Sequence, residues 1–237
     1  MNRRDEIAAC LTAVQERIAV ACTSAGRDPA EITLVAVTKT YPAEDVLHLA
    51  ALGVRDIGEN RDQEAAAKAA AVRSAGGDVR WHFVGQLQRN KARSVAEYAD
   101  LVHSVDRPQL VKALADGVRQ AGRPSLDVLV QVNLDVDESL AEERGGAPAS
   151  TVLSLADTVA ATGVLRLCGL MAVAPLYAPP EPAFERLAGI AQALRVDHPT
   201  ATIVSAGMSG DLEAAISYGA THVRVGSALL GKRALLG

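Results

Sequence analysis

The residue best suited to covalent chemistry is Lys39, in the stretch LVAVTKTYP (34–42). The apolar, β-branched run reads as a buried strand, yet it delivers an amine at its end with a threonine on either side. Side chains alternate along a strand, so Lys39 shares a face with Val35 and Val37. A solvated lysine there would simply snorkel. Held among apolar walls, the amine loses hydration, its pKa falls, and the neutral form becomes a nucleophile able to form a Schiff base with an aldehyde.

A second set of residues suits an anion. SAGMSGDLEAA (205–215) and VRVGSALLG (223–231) each put Gly and Ser where a strand turns into a helix. Such turns expose backbone N–H groups and the positive end of a helix dipole, and Gly226 and Ser227 fit that role. Ser209 either caps the helix GDLEAAISYG, with Asp211 favourable in its first turn, or both caps it and contacts the anion. Arg224 lies two residues before Gly226 and so faces the same way; once buried, it needs a partner. His82, between Trp81 and Phe83, is either a packed, hydrogen-bonded core residue or a ligand contact. Met171 reads as packing against whatever fills the site.

The elements that must position these groups alternate regularly. Residues 4–25 recur at helical spacing, with Ile7, Leu11, Val14, Ile18 and Ala21 on one stripe, and the helix ends at AGRDP. Strands are predicted at 33–39, 54–59, 80–85, 101–106, 127–134, 166–173, 202–207 and 222–227. Alanine-rich helical stretches such as AEDVLHLAALG, RDQEAAAKAAAVRSAG, RPQLVKALADGVRQAG, SLADTVAATG and EPAFERLAGIAQALRV separate them. Eight such units match an α/β (β/α)8 TIM barrel, whose active site sits at the C-terminal ends of the strands and often holds phosphate after strands seven and eight. A doubly wound open sheet fits less well, because no G-x-G-x-x-G follows the first strand. Without a linker or internal repeat, the expected organisation is a single domain over 1–237, with a helix in 1–28 packed on the barrel.

Of the 237 residues 49% are apolar, and the net charge is −4, enough for a substantial core and no field that would draw the chain to nucleic acid or an anionic membrane. Cys10, Cys22 and Cys168 are odd in number and lack C-x-x-C spacing, which argues against a disulfide framework or a zinc site. The charged N-terminus is unlike a signal peptide, and no segment approaches 18 uninterrupted apolar residues. A cytoplasmic, metal-free monomer is expected.

In order along the chain, AVTKTYP, GENRDQE, WHFVGQLQRNK, HSVD, VNLDVDES, GLMAVAP, SAGMSGDLEAAI and VRVGSALLG resemble the motifs of the pyridoxal phosphate homeostasis proteins (the YggS/PROSC family). Their fold resembles the N-terminal barrel of alanine racemases. That resemblance implies pyridoxal 5′-phosphate held as an aldimine on Lys39. It implies Arg224 facing the pyridine nitrogen, which leaves that nitrogen unprotonated and weakens the ring as an electron sink. Ser209, Gly226 and Ser227 would hold the phosphate, with Asn60, His82 and Met171 lining the pocket. Two departures stand out: Arg61 occupies the place of the family's usual aromatic after GEN, and the acidic loop DVDESLAEERGGAP (135–148) has two glycines where the family often has a basic residue before one. No role transfers to that loop.

Three functions compete. The first is a carrier that binds the cofactor for vitamin B6 homeostasis, with pyridoxal-phosphate-dependent apoenzymes as candidate recipients. It is favoured because racemisation uses proton transfer on two faces, and alanine racemases supply one base from a second domain, for which a chain ending at Gly237 is expected to have no room. The second is a pyridoxal phosphate enzyme, a racemase or lyase of narrow activity, with Tyr41 or His82 as second base. The third is a Schiff-base aldolase without cofactor, against which no acid–base lysine pair is evident in the strands.

Overall fold

The structure, a computed structural model, describes residues 2–135, 145–175 and 178–231. Eight parallel strands close into a barrel in chain order: β1 (Thr33–Val37), β2 (Asp56–Glu59), β3 (Arg80–Phe83), β4 (Leu101–Val105), β5 (Leu126–Val132), β6 (Leu165–Ala172), β7 (Ile203–Ser205) and β8 (His222–Val225). Every predicted strand is present. The shortening at β1, which ends at Val37, has a local cause: the Tyr41 amide donates to the Thr38 carbonyl at 3.0 Å, turning the chain at Lys39.

Nine α-helices occur among the described residues: α1 (Arg3–Ala25), α2 (Ala43–Ala51), α3 (Asp62–Ser74), α4 (Ala92–Tyr98), α5 (Pro108–Gln120), α6 (Val152–Ala160), α7 (Glu181–Asp197), α8 (Leu212–Ser217) and α9 (Ser227–Leu230). Outward-facing strand residues such as Ala36, Ile57 and Trp81 are buried in one continuous core together with helical Val46, Leu49, Ala65 and Val95. A smaller cluster, Leu101, Leu129 and Met171, packs with Ile203 and Val173. These two clusters follow from the alternation of strand side chains between the barrel's two faces.

Helix α1 packs across α2, α8 and α9. Asn2 caps its start by accepting from the Asp5 amide, and Gly26 closes it at φ 65°. The predicted stripe Ile7, Leu11, Val14, Ile18 and Ala21 is buried, and each large aliphatic member contributes about 1.5–3 kcal/mol by leaving water. None of the helices is long and apolar enough to cross a membrane, among the described residues.

Candidate functional site at the barrel mouth

Lys39 sits in a four-residue turn closed by the Tyr41 amide on the Thr38 carbonyl. The third residue of that turn, Thr40, has φ 69°, a left-handed position usually given to glycine and strained for a β-branched side chain. A network rooted in the buried residues Lys68, Glu59 and Thr38 holds it there. Lys68 on α3 donates to the Thr38 carbonyl at 2.7 Å, to Glu59 Oε1 at 2.5 Å and to Glu64 Oε1 at 3.1 Å. Glu64 Oε1 accepts from the Thr40 amide at 2.5 Å, and Glu59 Oε1 from the Thr38 hydroxyl at 2.5 Å. The backbone on both sides of Lys39 is thus pinned to α3. The lysine itself is exposed, which corrects the expectation of an amine enclosed by apolar walls: the strand ends at Val37, and the turn lifts the side chain past it.

Glycines let the chain pack closely against β1 beside this turn. A Cβ on Gly226 would stand 3.2 Å from the Val37 carbonyl oxygen, and one on Gly58 would stand 3.1 Å from Val35 Cγ1 and 3.3 Å from Val37 Cγ2. Gly226 and Ser227 follow β8, the neighbour of β1, so they and Lys39 share one end of the barrel. Ser209 arrives from the β7 loop. Its Oγ lies 3.3 Å from that of Ser227 and accepts from the Ala228 amide at 3.4 Å. Of the two roles open to Ser209, the helix-cap position belongs instead to Asp211, whose carboxylate accepts from the Met208 amide at 2.6 Å. Because α9 has only four residues, the expected dipole contribution is small. The two hydroxyls remain as the candidate anion-binding groups, since the Ala228, Leu229 and Leu230 amides of α9 are already engaged.

The N-terminal helix braces this end. Arg17 donates to the Ser209 carbonyl at 3.0 Å and pairs with Glu213. Arg3 reaches Asp45 at 2.8 Å and the Leu230 carbonyl at 3.0 Å, and lies over the Tyr41 ring. The Tyr41 hydroxyl donates to the Gly231 carbonyl at 2.6 Å.

Arg224 is buried, as its facing implied. Its Nη1 donates to the Ser205 carbonyl at 2.7 Å and to Ser205 Oγ at 2.8 Å, and its Nη2 to the Ala172 carbonyl at 2.9 Å. Burial pulls its pKa down to about 10, so it stays charged at neutral pH. Beyond Ser205 lie His103, 3.0 Å from the hydroxyl, and His82, 2.9 Å from His103 and 2.8 Å from Asp56. His82 is therefore a packed residue with both ring nitrogens engaged by protein, and the structure does not bring it to the mouth as a ligand contact. Met171 likewise packs inside, against Leu101 and Leu129. Asn60 does reach the mouth's rim: its Oδ1 is buried without a hydrogen-bond partner among the described residues. It lines a pocket of about 350 Å³ with Arg61, Gln63, Phe83, Gln86 and Lys91, so the Arg61 departure falls on a pocket wall. Most of the 135–148 loop, residues 136–144, lies outside the described residues.

The histidines predict a pH dependence. Burial pulls His222 down to about 4 and His103 well below the usual range. An unfolded chain protonates both near pH 6.5. Below that pH the unfolded state holds more protons, so stability is intact above 6.5 and falls as pH drops, by about 1.4 kcal/mol per unit for each such group. Glu59, pushed up by burial, works in the opposite direction, so the histidine share must be isolated. In His222→Gln the loss measured by urea unfolding between pH 7 and 5 should shrink by about 2 kcal/mol. An unchanged loss would show that His222 titrates normally.

Residues 10–234 match the family described as "Alanine racemase, N-terminal domain". The chain is 44% identical over 252 aligned residues to the "Pyridoxal phosphate homeostasis protein" of Mycobacterium tuberculosis, covering 99% of this chain and 95% of that one. It is 38% identical over 237 residues to the protein of the same description in Escherichia coli, with 97% of each covered. Among solved structures, PipY of Synechococcus elongatus with PLP bound superposes with a TM-score of 0.78 at 33% identity, covering 92% of this chain and 100% of that one. The chain belongs to the pyridoxal phosphate homeostasis proteins, within the alanine racemase N-terminal domain family.

Proposed function

We propose that this chain binds pyridoxal 5′-phosphate, holds it as a Schiff base on Lys39, and serves intracellular vitamin B6 homeostasis as a carrier without substantial turnover. The observation that carries the reading is the convergence at one barrel end of an exposed amine on a braced turn and two serine hydroxyls that meet across the loops after β7 and β8. The relatives' descriptions and the PLP-bound PipY support it. Bound pyridoxal phosphate supplies an aldehyde that an amine captures and a ring that delocalises electrons. Lys39 offers the amine, Ser209 and Ser227 hold the phosphate, Asn60 offers an acceptor at the rim, and Arg224 faces the ring nitrogen.

A racemase or lyase would need a second proton-transfer group. Of the two candidates, Tyr41 is committed to the Gly231 carbonyl and His82 to His103 and Asp56, which favours the carrier. The test is to mix purified protein with pyridoxal phosphate, follow the visible absorbance, and then incubate the loaded protein with each amino acid in deuterated water. Uptake without α-hydrogen exchange is expected, whereas sustained exchange would make it an enzyme. Ser227→Ala removes a hydrogen bond to a charged group and should weaken affinity by about ten- to a hundredfold; an unchanged titration would remove Ser227 from the phosphate site.

A further inference from the structure

The inside of the barrel holds an unbroken polar chain of which the carrier reading uses only the first member, Arg224. It runs from Arg224 on β8 through Ser205 on β7 and His103 on β4 to His82 on β3 and Asp56 on β2. Its direction follows from its ends. A guanidinium only donates and an ionised carboxylate only accepts. Ser205 Oγ accepts from Arg224, so its own proton goes to His103 Nδ1. His103 then carries its proton on Nε2 and donates to His82 Nδ1. His82 carries its proton on Nε2 and donates to Asp56 Oδ1. Both histidines are neutral in this order, and each of the four links pairs one donor with one acceptor.

The chain also joins two charges that do not touch. Asp56 and Arg224 both pair in register with Val35, one from β2 and the other from β8. The valine separates them, and the relay connects them the other way round the barrel interior. Among the described residues, no group of His, Cys, Asp and Glu here could hold a metal ion, so the histidines serve the relay itself.

We propose that Asp56, His82, His103 and Ser205 are positioning residues that fix the Arg224 guanidinium for the ring nitrogen of bound pyridoxal phosphate and supply that buried cation with a hydrogen-bonded anionic counterpart. This rests on the reading that Arg224 faces that nitrogen. A guanidinium locked by this chain cannot swing away from the ring, and its basicity keeps it from passing the ring a proton, which holds the ring in the poorly electron-withdrawing state that suits a carrier.

The test uses the full chain in two arms. In ligand-free protein, ¹⁵N spectra of the histidine side chains should show His82 and His103 as neutral Nε2–H tautomers; a doubly protonated His82 or an Nδ1–H His103 overturns the relay. In the loaded protein, His103→Leu should weaken pyridoxal phosphate binding by about fivefold or more and shift its visible absorbance. His103→Gln keeps an acceptor and a donor and should return both to within about twofold of wild type. Should His103→Leu fail to fold, Ser205→Ala cuts the next link and is read the same way. Equal spectra and affinities for the Leu, Gln and wild-type proteins overturn the proposal. Failure of wild type to take up the cofactor would instead overturn the carrier reading, and the ¹⁵N arm still reports on the relay.

Discussion

Lys39→Ala abolishes the imine absorbance band that wild-type protein develops with pyridoxal phosphate, and it weakens retention on the order of a hundredfold or more. The effect is large because the amine converts capture from simple association to an intramolecular bond, while the other contacts are retained: Ser209 and Ser227 are held against each other across the loops after β7 and β8, and Arg224 by backbone carbonyls. Residual binding that lacks the imine band and that phosphate competes away is therefore part of the expected result. Stability should change by no more than about 0.5 kcal/mol, because Lys39 is exposed and its side chain makes no core contact. Equilibrium dialysis, absorbance and urea unfolding on the same sample separate these outcomes. A band that survives in Lys39→Ala would put the aldehyde on a different amine and overturn the assignment.

How much of this was legible in the sequence depended on the range of the interactions. The eight strands follow from local alternation of β-branched runs with alanine-rich helices, and the α1 stripe from its period. The placement of Lys39, Gly226 and Ser227 at one barrel end was legible because a barrel gathers strand ends at one face, and the inward facing of Arg224 because side chains alternate along a strand. What stayed hidden needed two distant segments to meet. Ser209 looked like a helix cap, since its partners Ser227 and Ala228 lie on the next unit. His82 looked open to a ligand, since nothing local reveals that His103 and Asp56 claim its two nitrogens. The turn around Lys39 was missed for the same reason: its brace comes from Glu59, Glu64 and Lys68, of which only the Glu64 and Lys68 spacing, four residues apart on a helix, was a signal.

That brace should respond strongly to Lys68→Met. Lys68 and Glu59 are both buried, and the pair lies 2.5 Å apart. Removing the cation leaves the Glu59 carboxylate with the Thr38 hydroxyl, its Oε2 already lacking a hydrogen-bond partner among the described residues. An uncompensated buried charge costs about 3–5 kcal/mol, whereas replacing both partners by neutral groups is often close to neutral. Lys68→Met/Glu59→Gln should therefore regain most of the loss, and a double-mutant cycle by urea unfolding measures the coupling. The sign of the pH response is fixed too. A carboxyl whose folded pKa is raised binds its proton more tightly when folded, so stability is gained as pH falls through that raised value toward the unfolded pKa near 4.3. Burial already raises Glu59, and without Lys68 it rises further, so the deficit of Lys68→Met should narrow between pH 7 and 5. The same substitution frees the Thr38 carbonyl and loosens Glu64, which holds the Thr40 amide. Thr40 is then released from a conformation costing about 1–3 kcal/mol, and Lys39 loses its fixed approach. Slower uptake of pyridoxal phosphate in the folded variant, at a pH where its stability is restored, would show the brace acting on the amine. Uptake at the wild-type rate would confine Lys68 to stability alone.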